Sequence, residues 1–242
     1  MVQVGFKSDR GLKRKNNEDS CFVIPEDKIY IVADGVGGNN SGEVASRSAV
    51  SFVADYVKRN PVKQAKGRDE IKNYFVQCIQ EANSLICNLS RQSSEDSGMA
   101  TTLVLAYVTR RKAYVVNIGD SRAYLLRNGD LTQITEDHTY VNTLIKSGAL
   151  TEEAARTHDK RHIITRALGG DETAEPDIFE VKLMKDDILL LCTDGLHGEV
   201  EDSRIQEILS SGLQMSELCN QLITRANRSG GNDNITVVCV KM

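Results

Sequence analysis

The stretch TTLVLAYVTRRKAYVVNIGDSRAYLLRNGDLTQIT, residues 101–135, decides the architecture. It holds three strand-like segments, 101–108, 112–119 and 121–129, rich in Val, Leu, Tyr and Thr. Asn128-Gly129 is the dipeptide that two-residue hairpin turns prefer, and it leads straight into DLTQIT. Hairpins join antiparallel neighbours, whereas parallel neighbours need long crossovers. The stretch therefore favours antiparallel sheet over a doubly wound parallel one.

Working outward, the N-terminal side adds three strands. Val2, Val4 and Phe6 alternate, and SCFVI (20–24) and KIYIVAD (28–34) flank a turn at PED. A helix is expected from near Asn40, with Asn40 and Glu43 as a capping box and Ala45, Ala49, Val50 and Val53 as its apolar face. A second long helix fits Asp69 to Leu89. On the C-terminal side, 138–157 reads as helical and 158–175 as irregular. DIFEVKL (177–183) and DILLLCTD (187–194) are strands, helices follow at about 202–210 and 215–228, and NITVVCVKM (234–242) closes as a strand. The helices come in pairs. Two packed antiparallel sheets with helix pairs outside, an α+β arrangement, fit this order. Without repeats, low-complexity tracts or a Pro-rich linker, residues 1–242 read as one domain.

Composition narrows the functional classes. The chain has 242 residues, 40% of them hydrophobic and 26% charged, with a formal net charge of −4. A nucleic-acid binder would carry a basic excess. No apolar run is long enough to cross a bilayer, and the first twenty residues lack the apolar core of a secretory signal, so a cytoplasmic protein is expected. The six cysteines form no CxxC pair and mostly sit among apolar neighbours. They read as buried, reduced thiols rather than as a zinc site or a disulfide framework.

The chemistry is signalled by an aspartate at the end of an apolar strand, followed at once by glycine. It occurs twice, at Asp34-Gly35 and Asp194-Gly195. A carboxylate at the end of a buried strand is costly unless a charge compensates it, and a bound cation would do so. Glycine beside it lets the backbone carbonyl approach the same ion. Asp120 ends AYVVNIGD, Asp233 lies in the turn-rich SGGNDN, and Glu18 and Asp19 precede SCFVI. A lone Asp-Gly is commonly just a turn. Five or six acids, all at strand edges, suggest a metal cluster at one rim, where hard oxygen donors would suit magnesium, manganese or calcium. Arg14, four residues before Glu18, could hold two phosphate oxygens or simply belong to a solvated basic turn with Lys13 and Lys15. DGVGG (34–38) lacks the ending of a phosphate-binding nucleotide loop.

These segments resemble, in order and over nearly the whole chain, the metal-dependent protein phosphatase family, the type 2C serine/threonine phosphatases. The matching motifs are RKNNED (14–19), VADGVGG (32–38), SGMATTLV (97–104), NIGDSRAY (117–124), LTQITEDH (131–138), TRALGG (165–170), CTDGL (192–196) and GGNDNITVV (230–238). The resemblance implies a four-layer αββα sandwich: two antiparallel β-sheets flanked by helix pairs, with the site at one end. It implies two Mn2+ or Mg2+ ions, with Asp34 bridging both and the Gly35 carbonyl helping to bind one. Asp194 and Asp233 would ligate the other ion, and Glu18 and Asp19 would hold metal-bound waters. Arg14 would receive the phosphate. A third ion, as in many bacterial members, would take Asp120 and Asp194. The segment at about 138–175 would be the family's flap insertion.

The reaction so implied is hydrolysis of phosphoserine and phosphothreonine in proteins, by attack of a hydroxide shared between the two ions. The short chain resembles bacterial members, which commonly oppose a serine/threonine kinase, and a monomer is expected. Val36 departs from the animal pattern, where histidine follows the Asp-Gly and is a candidate general acid. The leaving-group proton would then come from metal-bound water or a flap histidine such as His162. Three rival readings are a catalytically dead phosphoprotein-binding regulator, a two-metal nuclease or small-molecule phosphohydrolase, and a scaffold module. The dead regulator should have lost metal-site acids, the nuclease should carry a basic, aromatic groove, and the scaffold gives no reason for the acids.

Overall fold

Side-chain alternation sorts the strands into layers. The structure, a computed structural model, describes residues 2–37, 41–65, 67–92 and 98–242. Its elements run β1 (Gln3–Asp9), β2 (Asp19–Ile24), β3 (Ile29–Val36), α1 (Ser41–Arg59), α2 (Arg68–Gln92), β4 (Ala100–Thr101), β5 (Leu103–Val108), β6 (Lys112–Ile118), β7 (Arg122–Arg127) and β8 (Asp130–Gln133). Then come α3 (Tyr140–Lys146), α4 (Glu152–Arg156), β9 (Asp177–Lys182), β10 (Ile188–Cys192), α5 (Asp194–His197), α6 (Asp202–Leu209), α7 (Met215–Ser229) and β11 (Ile235–Lys241). One sheet has the order β1-β11-β10-β7-β8 and the other β2-β3-β5-β6-β9, with β4 added to β3. Every pairing is antiparallel.

The period of two decides which side each residue takes. On β3, Ile29, Ile31 and Ala33 pack with α1 and α2, while Tyr30 and Val32 join the layer between the sheets. On β11, Ile235, Val237 and Cys239 meet α6 and α7, while Val238 and Val240 face the other sheet. The result is three apolar layers separating four layers of structure, as expected. Each fully buried Leu or Val in them contributes about 1.5–3 kcal/mol of transfer free energy. The Asn128-Gly129 turn is as read: both residues have positive φ, 54° and 91°, and join β7 to β8.

Several expectations need correction. The helical segment 138–157 is two short helices, because Gly148 takes a left-handed φ of 74° and Thr151 starts a new helix by accepting from Ala154 N. β3 does not end at Asp34. It continues through Gly35 and Val36, which pair with Thr101 and Ala100. Conversely the strand before Asp194 stops at Cys192, and Asp194 opens the helical turn α5. The Asn40 end of the capping box and the first residue of SGMATTLV lie outside the described residues. All six cysteines are free thiols, four of them buried. Among the described residues no helix is long and apolar enough to cross a membrane.

Candidate active site

The layer that separates the sheets also places the acids. Asp19 and Asp34 are directly opposed across β2 and β3. Asp34 has the parity of Tyr30 and Val32, and Asp19 that of Cys21 and Val23, so both fall on the inter-sheet side. β10 and the β6–β7 turn bring Asp194 and Asp120 to the same end, and the turn before β11 brings Asp233. Like charges in register destabilise a sheet, so the pairing of Asp19 with Asp34 has no rationale in folding alone.

Their electrostatics show how closely they gather. Burial raises the Asp34 carboxyl well above the usual range, and the charges of Asp19, Asp194, Asp120 and Asp233 add to it. Burial, then the neighbouring Asp194, pushes Asp120 up to about 8. Asp19 is also pushed up to about 8, first by burial, against hydroxyl hydrogen bonds that favour its charged form. Asp194 is raised by burial and by Asp233, while its interaction with Asp34 works the other way. Glu18, at the mouth, is raised by burial and lowered by Arg14.

Cation binding fits this chemistry. Asp19 Oδ1 and Asp194 Oδ1 are buried and have no hydrogen-bond partner among the described residues, a costly condition that a cation relieves. The glycines keep space open. A Cβ on Gly42 would lie 2.7 Å from Glu18 Oε2 and 2.8 Å from the Gly35 carbonyl oxygen, so two hard oxygens face one small volume. The donors are all oxygens, which selects magnesium- or manganese-type ions. Among the described residues no three His, Cys, Asp or Glu side chains form a ready cage. A magnesium-type ion does not require one, since it keeps several waters and needs only one or two carboxylates.

Arg14 lies beside the acids, half-exposed, and its Nη2 donates to Asp233 Oδ2 at 2.6 Å. It also feels Asp34 and Glu18. The basic-turn alternative is thereby narrowed: Arg14 faces the acids. His162, exposed between α4 and β9, acts electrostatically on Asp194. Val36 is exposed at the end of β3.

Several organising residues escaped the sequence reading. The Thr193 hydroxyl donates to Asp19 Oδ2 at 2.9 Å. Thr102 Oγ1 accepts from Asp34 N at 3.0 Å and bonds Ser121 Oγ at 2.7 Å, tying β3 to the turn that carries Asp120. His197 Nε2 donates to the Asp120 carbonyl at 3.0 Å. Burial lowers its pKa to about 3, so it stays neutral. Asn234, buried, ties two loops together. Each lies inside or next to a quoted motif, but a hydroxyl or amide carries no charge pattern that sets it apart.

Two face-packed antiparallel sheets, helix pairs outside, and an oxygen-only acid cluster with an arginine at its mouth define a metal-dependent protein phosphatase. The chain belongs to the protein phosphatase 2C family, whose model matches residues 12–235. It is 41% identical over 240 residues to the serine/threonine phosphatase stp of Listeria monocytogenes, covering 98% of this chain and 94% of that one. Its fold is similar to that of the serine/threonine phosphatase Stp1 of Staphylococcus aureus, with a TM-score of 0.93, 31% identity, and coverage of 100% and 95%. It is also similar to the catalytic domain of the phosphatase PstP in complex with two manganese ions, with a TM-score of 0.87, 37% identity, and coverage of 99% and 97%.

Proposed function

We propose that this enzyme hydrolyses phosphoserine and phosphothreonine in proteins at the rim formed by Asp34, Asp194, Asp233 and Arg14. The observation that carries the reading is that the charges of Asp19, Asp194, Asp120 and Asp233 all bear on Asp34, and that Asp19 and Asp194 each carry a buried oxygen with no hydrogen-bond partner among the described residues. Asp34 and the Gly35 carbonyl, with Asp194 and Asp233, would hold two manganese or magnesium ions, and Glu18 and Asp19 would orient their waters. Asp120 and Asp194 would serve a third ion. When bound, the divalent cations make hydroxide available near neutral pH and neutralise charge on the phosphoryl group.

The chain's own residues do the rest. Arg14 presents N–H donors toward the mouth of the site, where they bond phosphoryl oxygens and stabilise the charge spread over them in the transition state. Asp34, held at its backbone by Thr102 and at its carbonyl by the Thr101 hydroxyl, keeps its carboxylate fixed between the two sheets. Such fixing removes reorganisation from the reaction step. Val36 offers no proton, so the serine or threonine oxygen takes one from water or from His162 on the flap. No covalent phosphoenzyme is needed. The substrates are products of serine/threonine kinases, so a kinase of that class supplies what this enzyme consumes.

Arg14→Ala tests the phosphate role. It should raise KM for a phosphothreonine peptide by about tenfold, the loss of one charge-assisted hydrogen bond. An unchanged KM would remove Arg14 from that role.

A further inference from the structure

The loop that carries Arg14 has no secondary structure between β1 and β2, yet it must hold a guanidinium beside the acids. Its backbone is tied to the loop between α7 and β11 at Gly231 and at Asn234. Leu12 N and Lys13 N donate to the Gly231 carbonyl at 2.8 and 3.1 Å. The second fastening is the buried side-chain amide of Asn234, which is 4% exposed. Asn234 Nδ2 donates to the carbonyls of Arg10 and Asn16, each at 2.9 Å, and its Oδ1 accepts from Glu18 N at 2.8 Å. Both donors and the acceptor of one amide are therefore spent on the loop, before and after Arg14.

The backbone of the same residue serves the acids. Asn234 N donates to Asp233 Oδ1 at 2.8 Å, fixing the carboxylate whose other oxygen meets Arg14. The Asn234 carbonyl abuts Gly195, where a Cβ would lie 1.9 Å from it. One residue thus touches the loops of Arg14, Asp233 and Asp194. A buried amide with both N–H donors and its oxygen engaged rigidifies what it joins.

We propose that Asn234 is a positioning residue that sets Arg14 for phosphate binding through its side chain, independently of the backbone bond that orients Asp233. The inference rests on the phosphate role of Arg14. Asn234→Ala removes the three loop bonds and leaves the backbone N–H to Asp233. Asn234→Asp keeps the shape and can still accept from Glu18 N, but opposes the Arg10 and Asn16 carbonyls.

The test is a double-mutant cycle on a phosphothreonine peptide with manganese saturating, using Asn234→Ala, Asn234→Asp, Arg14→Ala and the combinations, with melting curves for each. Both Asn234 variants should fold, raise KM by about five- to tenfold, and change kcat less. In the Arg14→Ala background the same substitutions should change KM less than about twofold, since residues acting as one unit are not additive. The full KM increase in both backgrounds would overturn the inference while leaving Arg14 in place. An Arg14→Ala enzyme with normal KM would remove the phosphate role and the inference together. Failure of both Asn234 variants to fold would also overturn it, making the amide a requirement of the fold.

Discussion

Asp34 sits opposite Asp19 in the β2–β3 register, and that pair concentrates the tension in the site. Asp34→Asn removes a charge from the cluster and should lower kcat at least tenfold with manganese saturating, because on the proposed assignment the ions would lose a ligand carboxylate. A variant with more than a tenth of normal turnover would refute that placement. The acids also set a pH dependence for the metal-free chain. Asp19 and Asp120 hold their protons up to about pH 8 when folded, whereas an unfolded aspartate releases its proton near about pH 4. Between those values the folded chain binds more protons. This contribution to stability is therefore complete below the unfolded value and is lost as pH rises through about 8. With chelator present, the protein should melt lower at pH 8 than at pH 5, and manganese should raise the melting temperature more at pH 8. A melting temperature that does not fall between these pH values would contradict it. These acids were legible in the sequence because a carboxylate beside an apolar run is conspicuous. Thr102, Thr193 and Asn234 were not, because neutral hydrogen-bonding residues occur throughout any polar loop.

At the scale of elements, close approach of backbone decides whether the site closes. α1 lies so near β3 that a Cβ on Gly35 would sit 1.9 Å from the Gly42 carbonyl and 2.7 Å from that of Glu18. Gly35→Ala should push helix and strand apart, costing about 1–3 kcal/mol, and should weaken activity beyond its loss of stability. Unchanged melting and kinetics would show that the contact yields freely. The β7–β8 turn provides the contrast. It lies at the far end of β7 from Asp120, and Gly129 has a φ of 91° with open space around it. Gly129→Ala should cost about 1 kcal/mol and leave kcat unchanged, as paired denaturation and turnover measurements would show. Hairpin chemistry made this turn readable in advance. The division of 138–157 was missed because helical periodicity outweighed one glycine, and the left-handed φ at Gly148 becomes apparent only when the chain folds back. Asp34 was placed at a strand end because the apolar run stops there, whereas pairing with β4 carries the strand two residues further.

For the molecule as a whole, three apolar layers hold four layers of structure, and the acids lie together at one end of the middle layer. Antiparallel order, helix pairing and the outer layers followed from periodicity and hairpin signals. Which strands neighbour one another did not, because β1 beside β11 and β6 beside β9 join segments far apart in sequence. The central claim is that this rim is a metal-dependent phosphatase site. The direct measurement is phosphate release from a phosphothreonine peptide by the purified protein, with manganese and with chelator, beside the Asp34→Asn variant. Release that requires manganese and is lost in the variant is the expected result. No release from the wild-type protein with manganese saturating, or equal release by the variant, would contradict the account.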